Sequence, residues 1–397
     1  MSDLGLLGKL LDDVQIEWKP LGQSVEVNRG KRLVKSQLEA RGRYAVFQNS
    51  LKPLGYFDEA NVAADSTFIV CAGSAGEIGY SEKAFWAADD IYFFVPPAGV
   101  LSRYLYHWLL TEQPFIFSQV RKGVVPRLPK PIVERLNVPI PCPEEPEKSL
   151  AIQGEIVRIL DSFTQLTSEL TAELALRIKQ YSHCRQRLLG YDVESLELKP
   201  LGWVGEVRMC RRVLKSQTSS TGDIPFFKIG TFGKKPDAYI PRDLFENLKE
   251  KYSYPKVGDV LLSASGTLGR SVVFDGNEAY FQDSNIVWLE NDESKVSNKY
   301  LSYFYQIARW QSSDGGVIKR LYNDNIKRTL IPVPHPDDPE RSLAAQARIV
   351  AILDKFDTLT TSPSEGLRRE IELRQKQYEY YRDLLLRFRK PAEAFTA

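Results

Sequence analysis

Two stretches of this chain carry apolar residues at helical spacing over an unusual length. After Ser149, the positions Ile152, Ile156, Ile159, Phe163, Leu166 and Leu170 step by four, three, four, three and four, and Leu174, Ile178, Tyr181 and Leu188 continue the stripe. That period lays one apolar seam along a long helix, which Gly190 can end. A second seam opens at Ser342 and passes through Ile349, Ile352, Phe356, Leu359, Leu367, Ile371, Tyr378, Leu385 and Phe388, with Pro391 beyond it. Ser149 and Ser342 are the expected N-caps. A seam of about forty residues is roughly 60 Å long, and on a lone helix it would be exposed; it is normally buried against a partner helix. The obvious partner is the other seam, paired head to tail as an antiparallel coiled coil that returns the chain to its start. Thr361-Ser362-Pro363-Ser364-Glu365-Gly366 should kink or interrupt the second helix, because proline lacks the N–H and clashes with the preceding turn.

The seams belong to a larger repetition. Lys19-Pro20-Leu21-Gly22, Glu26-Val27, Arg32 and Lys35-Ser36-Gln37 recur 180 positions later as Lys199-Pro200-Leu201-Gly202, Glu206-Val207, Arg212 and Lys215-Ser216-Gln217. At roughly one random match in fifteen positions, chance supplies about one such identity. Pro139 to Asp161 then returns at Pro332 to Asp354, with Pro143, Ser149-Leu150-Ala151, Gln153 and Ile159-Leu160-Asp161 matched by Pro336, Ser342-Leu343-Ala344, Gln346 and Ile352-Leu353-Asp354. Between these blocks, Tyr44 to Val120 resembles Phe226 to Ser313 only faintly. Each half is a variable centre in a repeated frame, which predicts two recognition units related by an approximate two-fold axis and held apart by the helices. A coiled coil that merely dimerises the protein, or the core helix pair of an ordinary enzyme, would leave the alternation of helices and globular units unexplained.

Composition narrows the chemistry. The 397 residues suffice for two or three domains, and a net charge of +2 places any nucleic-acid face locally rather than over the whole surface. Cys71, Cys142, Cys184 and Cys210 form no CxxC pair, and only His107, His183 and His335 are present, so neither a zinc site nor a disulfide framework has its spacing. A reducing, cytoplasmic setting is expected, since Met1-Ser2-Asp3 opens no signal peptide and the apolar stretch near Tyr104 to Leu110 is too short to span a bilayer.

Within the variable centres, three matched features stand out. Each unit opens with a basic segment: Arg29, Lys31, Arg32, Lys35, Arg41 and Arg43 in the first, Arg208, Arg211, Arg212 and Lys215 in the second. With Gln37 and Gln217 beside them, these suit phosphate and base-edge contact; a solvated charged face fits them equally well. Next, Gly73-Ser74-Ala75-Gly76-Glu77-Ile78-Gly79 matches Ser263-Ala264-Ser265-Gly266-Thr267-Leu268-Gly269-Arg270, each following a strand-like apolar run, Phe68-Ile69-Val70 and Val260-Leu261-Leu262. Both read as tight turns between strands. Third, Lys122-Gly123-Val124-Val125-Pro126-Arg127-Leu128 corresponds to Gly315-Gly316-Val317-Ile318-Lys319-Arg320-Leu321. The DNA-contact candidates are therefore Arg29, Lys31, Arg32, Lys35, Gln37, Ser74, Arg121, Lys122 and Arg127, with Arg211, Arg212, Lys215, Gln217, Ser265, Thr267, Arg270, Lys319 and Arg320. No phosphate loop Gly-x4-Gly-Lys-Ser/Thr occurs, nor an Asp/Asn-Pro-Pro-Tyr/Phe tetrapeptide, a Gly-x-Ser-x-Gly turn or a His-Glu-x-x-His helix. No catalytic residue is assigned.

These residues resemble a known family, the specificity subunit of type I restriction-modification systems. The likeness covers nearly the whole chain. It rests on Trp18-Lys19-Pro20-Leu21-Gly22, on Thr167-Ser168-Glu169-Leu170 followed by Thr171-Ala172-Glu173-Leu174, and on the Gln-Ile-Val-Ile-Leu-Asp-Phe pattern of Gln153 to Phe163 and Gln346 to Phe356. The resemblance implies an α+β fold with two tandem α/β target recognition domains, separated by two long antiparallel coiled-coil helices in a pseudo-two-fold internal repeat. The expected boundaries are 1–148 and 192–341 for the recognition domains, 149–191 and 342–390 for the spacer helices, and 391–397 for a tail. It further implies that each recognition domain reads one half of a bipartite, asymmetric site in double-stranded DNA. The spacers dock two adenine methyltransferase subunits, with Ile156, Ile159, Phe163, Leu166, Leu170, Leu174, Ile349, Ile352, Phe356, Leu359, Ile371 and Tyr378 as seam residues. Restriction and translocation belong to a further subunit, so S-adenosylmethionine, ATP and Mg are expected on partners and no cofactor or metal in this chain. A coiled-coil scaffold unrelated to DNA, or the recognition subunit of a related methyltransferase system, are the alternatives. Whichever system it serves, the isolated chain should bind DNA poorly and with marked salt dependence, the partners supplying much of the phosphate contact.

Overall fold

The computed structural model describes residues 14–191, 196–311, 319–362 and 364–388. Met1 to Asp3, Ser313, Gly315 to Ile318, Pro363 and Pro391 lie outside the described residues. The chain divides into two compact units: Met1–Thr171 together with Glu370–Ala397, and Ala172–Arg369.

In the first unit the strands are β1 (Ile16–Pro20), β2 (Glu26–Arg29), β3 (Tyr44–Phe47), β4 (Gly55–Phe57), β5 (Ser66–Val70), β6 (Ile78–Ser81), β7 (Trp86–Ala87), β8 (Ile91–Val95) and β9 (Asn137–Pro141). They form a four-stranded antiparallel sheet in the order β2-β8-β5-β6, a three-stranded sheet β4-β3-β7, and the pair β1-β9. Helix α1 (Ser102–Ser118) follows the larger sheet, and α2 (Pro146–Leu189) leads into the second unit. There β10 (Leu196–Pro200), β11 (Gly205–Arg208), β12 (Ile224–Phe227), β13 (Tyr239–Ile240), β14 (Val260–Ser263), β15 (Ser271–Val273), β16 (Tyr280–Phe281), β17 (Ile286–Asn291) and β18 (Leu330–Pro334) repeat the plan. The sheets are β11-β17-β14-β15, β13-β12-β16 and β10-β18, with helices α3 (Arg242–Lys251) and α4 (Asn298–Tyr305). The chain closes with α5 (Pro339–Thr361) and α6 (Gly366–Leu386). The fold is α+β, two repeats joined by helices.

The unbroken apolar runs on β5 and β14 have a common cause. Successive side chains on a strand point to opposite faces, and both faces are covered here. Ile69 packs towards α1 with Tyr104, Trp108 and Leu109, while Phe68 and Val70 pack towards the small sheet with Phe85 and Ala87. In the second unit Val260 and Leu262 share a core with Tyr300 and Phe304 of α4, and Leu261 points to Phe226 and Phe281. A strand covered on both sides reads as continuous apolar sequence rather than as alternation.

The long helices begin three residues before the expected serines. Helix α2 starts at Pro146 and α5 at Pro339, where Asp338 is the N-cap and its carboxylate accepts from Arg341 N at 3.1 Å. Proline is compatible with the first helical turn because its missing N–H would have no partner there. Ser149 and Ser342 are buried inside the helix, where their hydroxyls accept from Gln153 and Gln346 at 3.1 Å each. The interruption falls where the sequence places it: α5 stops at Thr361, α6 resumes at Gly366 with φ +78°, and Arg368 Nε donates to the Thr360 carbonyl at 2.6 Å.

Each unit uses the start of one long helix and the end of another. In the first, Ile152, Ile156 and Leu160 share a core with Leu385 and Leu386, and Phe163 stacks on Tyr381 at 5.1 Å. In the second, Tyr181 and Leu189 share a core with Leu353, and Tyr181 stacks on Phe356 at 5.9 Å. The buried row is not the expected seam throughout. Ile352 stays 42 % exposed and Ile178 40 %, whereas Leu160 and Leu353 are fully buried. Neighbouring positions on a helix point about 100° apart, and the face turned to α1 or α4 lies on the Leu160 and Leu353 side.

Two polar contacts lock this frame in both units. The buried Gln153 accepts from Leu101 N at 2.9 Å and donates to Gly99 O at 3.0 Å; Gln346 accepts from Ser297 N at 2.9 Å and donates to Lys295 O at 2.8 Å. Leu101 and Ser297 are the residues that precede α1 and α4. Asp161 accepts from His107 Nε2 and Arg103 Nε, both at 2.8 Å, while Asp354 accepts from Tyr303 and pairs with Lys299 at 3.0 Å. His107 Nδ1 lies 2.9 Å from the Tyr378 hydroxyl of α6. Burial holds the His107 imidazole below its ordinary 6.5 despite Asp161, and it holds the Tyr378 hydroxyl well above the usual phenol range. Burial alone would raise Asp161, but the His107 and Arg103 hydrogen bonds and the Arg103 charge bring it lower than usual. A neutral imidazole donating from Nε2 to an ionised Asp161, and accepting from Tyr378 at Nδ1, satisfies all three.

Candidate nucleic-acid interface

The glycine turns are the loops of the β5-β6 and β14-β15 hairpins. Gly73 and Gly76 have φ of +87° and +94°, and Gly266 and Gly269, at the same two places, +68° and +80°. A Cβ on Gly73 would also come within 2.7 Å of the Asn49 carbonyl. Glycine is what lets these turns close.

Against each hairpin turn lies the basic turn. In the first unit Leu128 N donates to Cys71 O at 2.8 Å and Gly73 N to Pro126 O at 3.2 Å; Arg127 bridges Ala72 on one side and Arg121 on the other. In the second, Leu321 N donates to Ala264 O at 2.8 Å and Arg320 bridges Ser265. Two segments 55 residues apart in sequence are thereby locked together alike in both copies, and their junction borders a cleft.

The first cleft has a volume of about 300 Å³ and is lined by Arg29, Tyr92, Arg121, Lys122 and Arg127 over a floor of Cys71 and Leu128. Arg29 Nε donates to the Asp89 carbonyl at 2.6 Å, and its terminal nitrogens have no hydrogen-bond partner among the described residues. Arg121, Lys122 and Arg127 are exposed and have no ion pair or side-chain hydrogen bond among the described residues. Burial pushes both the Cys71 thiol and the Tyr92 hydroxyl up, so neither adds negative charge at neutral pH. Four unneutralised cations on one concave surface attract an anion or the acceptor-rich edge of a base.

The equivalent cleft of the second unit is lined by Met209, Ser284, Arg320, Tyr322, Asn323 and Asp324. Met209 stands where Arg29 does, at the end of the matching strand, and the Ser284 hydroxyl lies 3.9 Å from its sulfur. Arg320 Nη2 donates to Asn285 Oδ1 at 2.8 Å, which the Ser265 hydroxyl also reaches at 2.8 Å. The place is the same and the chemistry differs.

The remaining candidates fall elsewhere. Lys31 and Arg32 are exposed after β2, and Lys35 and Gln37 sit on a short 3-10 turn where Gln37 accepts from Val34 N at 3.1 Å. Lys215 and Gln217 repeat that turn, with Gln217 accepting from Leu214 N at 2.8 Å. Arg211 lies over the Tyr252 ring at 5.2 Å, and Arg212 and Lys319 are exposed. None of these lines either cleft. Ser74 lies in the first hairpin turn, its N–H on the Asn49 carbonyl. Ser265 is buried, and Thr267 is an exposed turn residue whose carbonyl accepts from Ser263. Arg270 Nη1 is held by the Phe232 carbonyl at 2.8 Å. Ser265 and Arg270 therefore brace the turn from within. The sequence reading missed Met209, Asn285, Ser284 and the Asp89 carbonyl. Met209 was visible as the counterpart of Arg29 in the repeat, but Asn285 and Asp89 reach the cleft only through the pairing of β8 and β17 with their neighbours.

The model of the type I restriction modification DNA specificity domain matches residues 14–180 and again 194–373. A putative type I restriction enzyme specificity subunit of Haemophilus influenzae is 47% identical, the match covering 96% of this chain and 98% of that protein. The specificity subunit of the type I restriction enzyme EcoR124I/EcoR124II of Escherichia coli is 34% identical over 98% of this chain and 99% of its own. In fold the chain is similar to the crystal structure of the S subunit of a type I restriction-modification system from M. genitalium, with a TM-score of 0.58 at 14% identity over 96% of this chain and 98% of that one.

Proposed function

The chain belongs to the family of DNA specificity subunits of type I restriction-modification systems, and from that premise we propose that its two clefts face DNA, each unit reading one half of a split site. The observation that carries this reading is the pair of clefts itself: the same junction of hairpin turn and basic turn, built by the same backbone contacts, lined by different side chains. Two different short words at a fixed separation need such a combination of common frame and divergent lining. Arg121, Lys122 and Arg127 on the rim of the first cleft supply phosphate contact, the term that dominates affinity and makes it dependent on salt.

In this reading the subunit does no chemistry. Adenine methyltransferase subunits dock on the long helices, and cleavage and translocation belong to a further subunit, so S-adenosylmethionine, ATP and Mg bind to the partners. Among the described residues no helix is long and apolar enough to cross a membrane.

The test is to sequence modified adenines in DNA from cells carrying this chain with its methyltransferase, and from cells lacking only this chain. Loss of one split motif, two short words around a fixed gap, is the expected result. Unchanged methylation with an active methyltransferase would sink the reading.

A further inference from the structure

The two clefts share one wall and differ in the other. The shared wall is the basic turn, where Arg127 and Arg320 hold the same backbone place against the hairpin turn. The other wall lies at the end of the second strand of each unit, where Arg29 of the first unit corresponds to Met209 of the second. A contact made alike in both units carries no information that separates one half-site from the other, whereas a side chain that differs at a matched place can. Resting on the reading that the clefts face DNA, we propose that Arg29 is a specificity-determining residue that reads guanine in the half-site of the first unit, and that Arg127, on the turn both units share, is a phosphate anchor.

The setting of Arg29 fits base reading better than phosphate contact. Its Nε is committed to the Asp89 carbonyl at 2.6 Å, which restrains the guanidinium at the cleft wall and leaves the two terminal nitrogens without a hydrogen-bond partner among the described residues. That fork matches the O6 and N7 acceptors of guanine, and a fork held in advance loses little side-chain freedom on binding. No carboxylate pairs with it among the described residues. In the second unit Met209 and Ser284 replace this pair, with the hydroxyl 3.9 Å from the sulfur. A thioether offers no donor to guanine, so the second half-site should carry no guanine requirement from this position. Arg127 is built differently: it is exposed and unpaired among the described residues, on a turn bridged on two sides.

The experiment compares modified-adenine maps from cells carrying the methyltransferase with the wild-type chain, Arg29→Met, Arg29→Lys or Arg127→Ala, with copurification of the methyltransferase confirming that each variant assembles. The wild type should require guanine at one position of one half. Both Arg29 variants should relax that position alone by roughly 5- to 150-fold, the range of a bidentate base contact, leaving the other half and the gap intact. Arg127→Ala should lower methylation evenly over all sites with the motif unchanged. An unaltered motif in both Arg29 variants, beside a lowered level in Arg127→Ala, would overturn the assignment of Arg29 and leave the DNA-facing clefts standing. An even loss in Arg29→Met that Arg29→Lys restores would make Arg29 a phosphate contact and overturn it too. No effect of any variant on motif or level would remove the clefts from the DNA face altogether.

Discussion

Replacing Gln153 by methionine tests whether the repeated frame is held as the structure implies. The side chain is fully buried and its carboxamide satisfies Leu101 N–H, Gly99 carbonyl and the Ser149 hydroxyl. Methionine keeps the length and flexibility but satisfies none of the three. Leaving a buried donor or acceptor without a partner costs about 1–3 kcal/mol. The two backbone groups together should therefore cost about 2–6 kcal/mol, in a segment that starts α1 and so positions the helix against β5 and β6. Hydrogen exchange followed by mass spectrometry reads this locally: amides around Leu101 should exchange on the order of 30-fold faster or more, since about 1.4 kcal/mol is tenfold. The repeat supplies its own control. Gln346→Met removes the matching bonds to Ser297 N and Lys295 O, and should accelerate the amides around Ser297 by a similar factor while leaving those around Leu101 alone. In the double variant the two effects should add within a few tenths of a kcal/mol, as independent sites do. A change below about threefold at either segment would refute the claim that these glutamines carry the frame.

Three further outcomes follow from the same contacts. His107, Asp161 and Tyr378 form a cluster in which the imidazole is held neutral, so in an NMR titration of the three histidines His107 should protonate below 6.5; the unfolded chain takes up that proton first, so stability of the first unit should fall as pH drops through about 6.5, and a His107 midpoint at or above 6.5 would refute the assignment. Leu385 is 1 % exposed in the core of the first unit, and Leu385→Ala should cost about 2–5 kcal/mol, seen as lost exchange protection near Ile156, far away in sequence. A four-residue insertion after Leu174, within the unbroken α2, adds about 6 Å of helix and should lengthen the unread gap of the DNA motif by one or two base pairs at about 3.4 Å each; methylation mapping with an unchanged gap would show that the helix does not set that gap.

What was legible in the sequence was whatever depends on periodicity and repetition. The long helices, the interruption before Gly366 and the two hairpin turns with their glycines were all readable, because helical spacing, proline and positive φ act through nearest neighbours. The helix starts were misplaced by one turn because Pro146 and Pro339 serve as first-turn residues while Ser149 and Ser342 turn inward to the glutamines. Ile352 fits the spacing of the seam yet stays exposed, because periodicity counts apolar positions without knowing which face α4 will cover. The clefts were half legible. Arg29, Arg121, Lys122 and Arg127 were named, but nothing in their spacing separates them from Lys31, Arg32 and Lys35, which the fold places away from the cleft.

The same reasoning explains how the centres could diverge while their topology stayed the same. β5 needs Ile69 on one face and Phe68 and Val70 on the other, and β14 needs Leu261 on one and Val260 and Leu262 on the other. Any apolar residue of about the right size meets that demand, so few identities need survive between the halves. The frame tolerates less, since Gln153, Asp161 and their counterparts each satisfy specific buried partners, and substitution leaves those partners bare. On the cleft rim Arg29 packs into neither core of its unit, and Met209, half-buried, only borders the core of the second. Such rim positions can change at less cost to folding than the fully buried ones, which is the condition under which one scaffold can present two different reading surfaces.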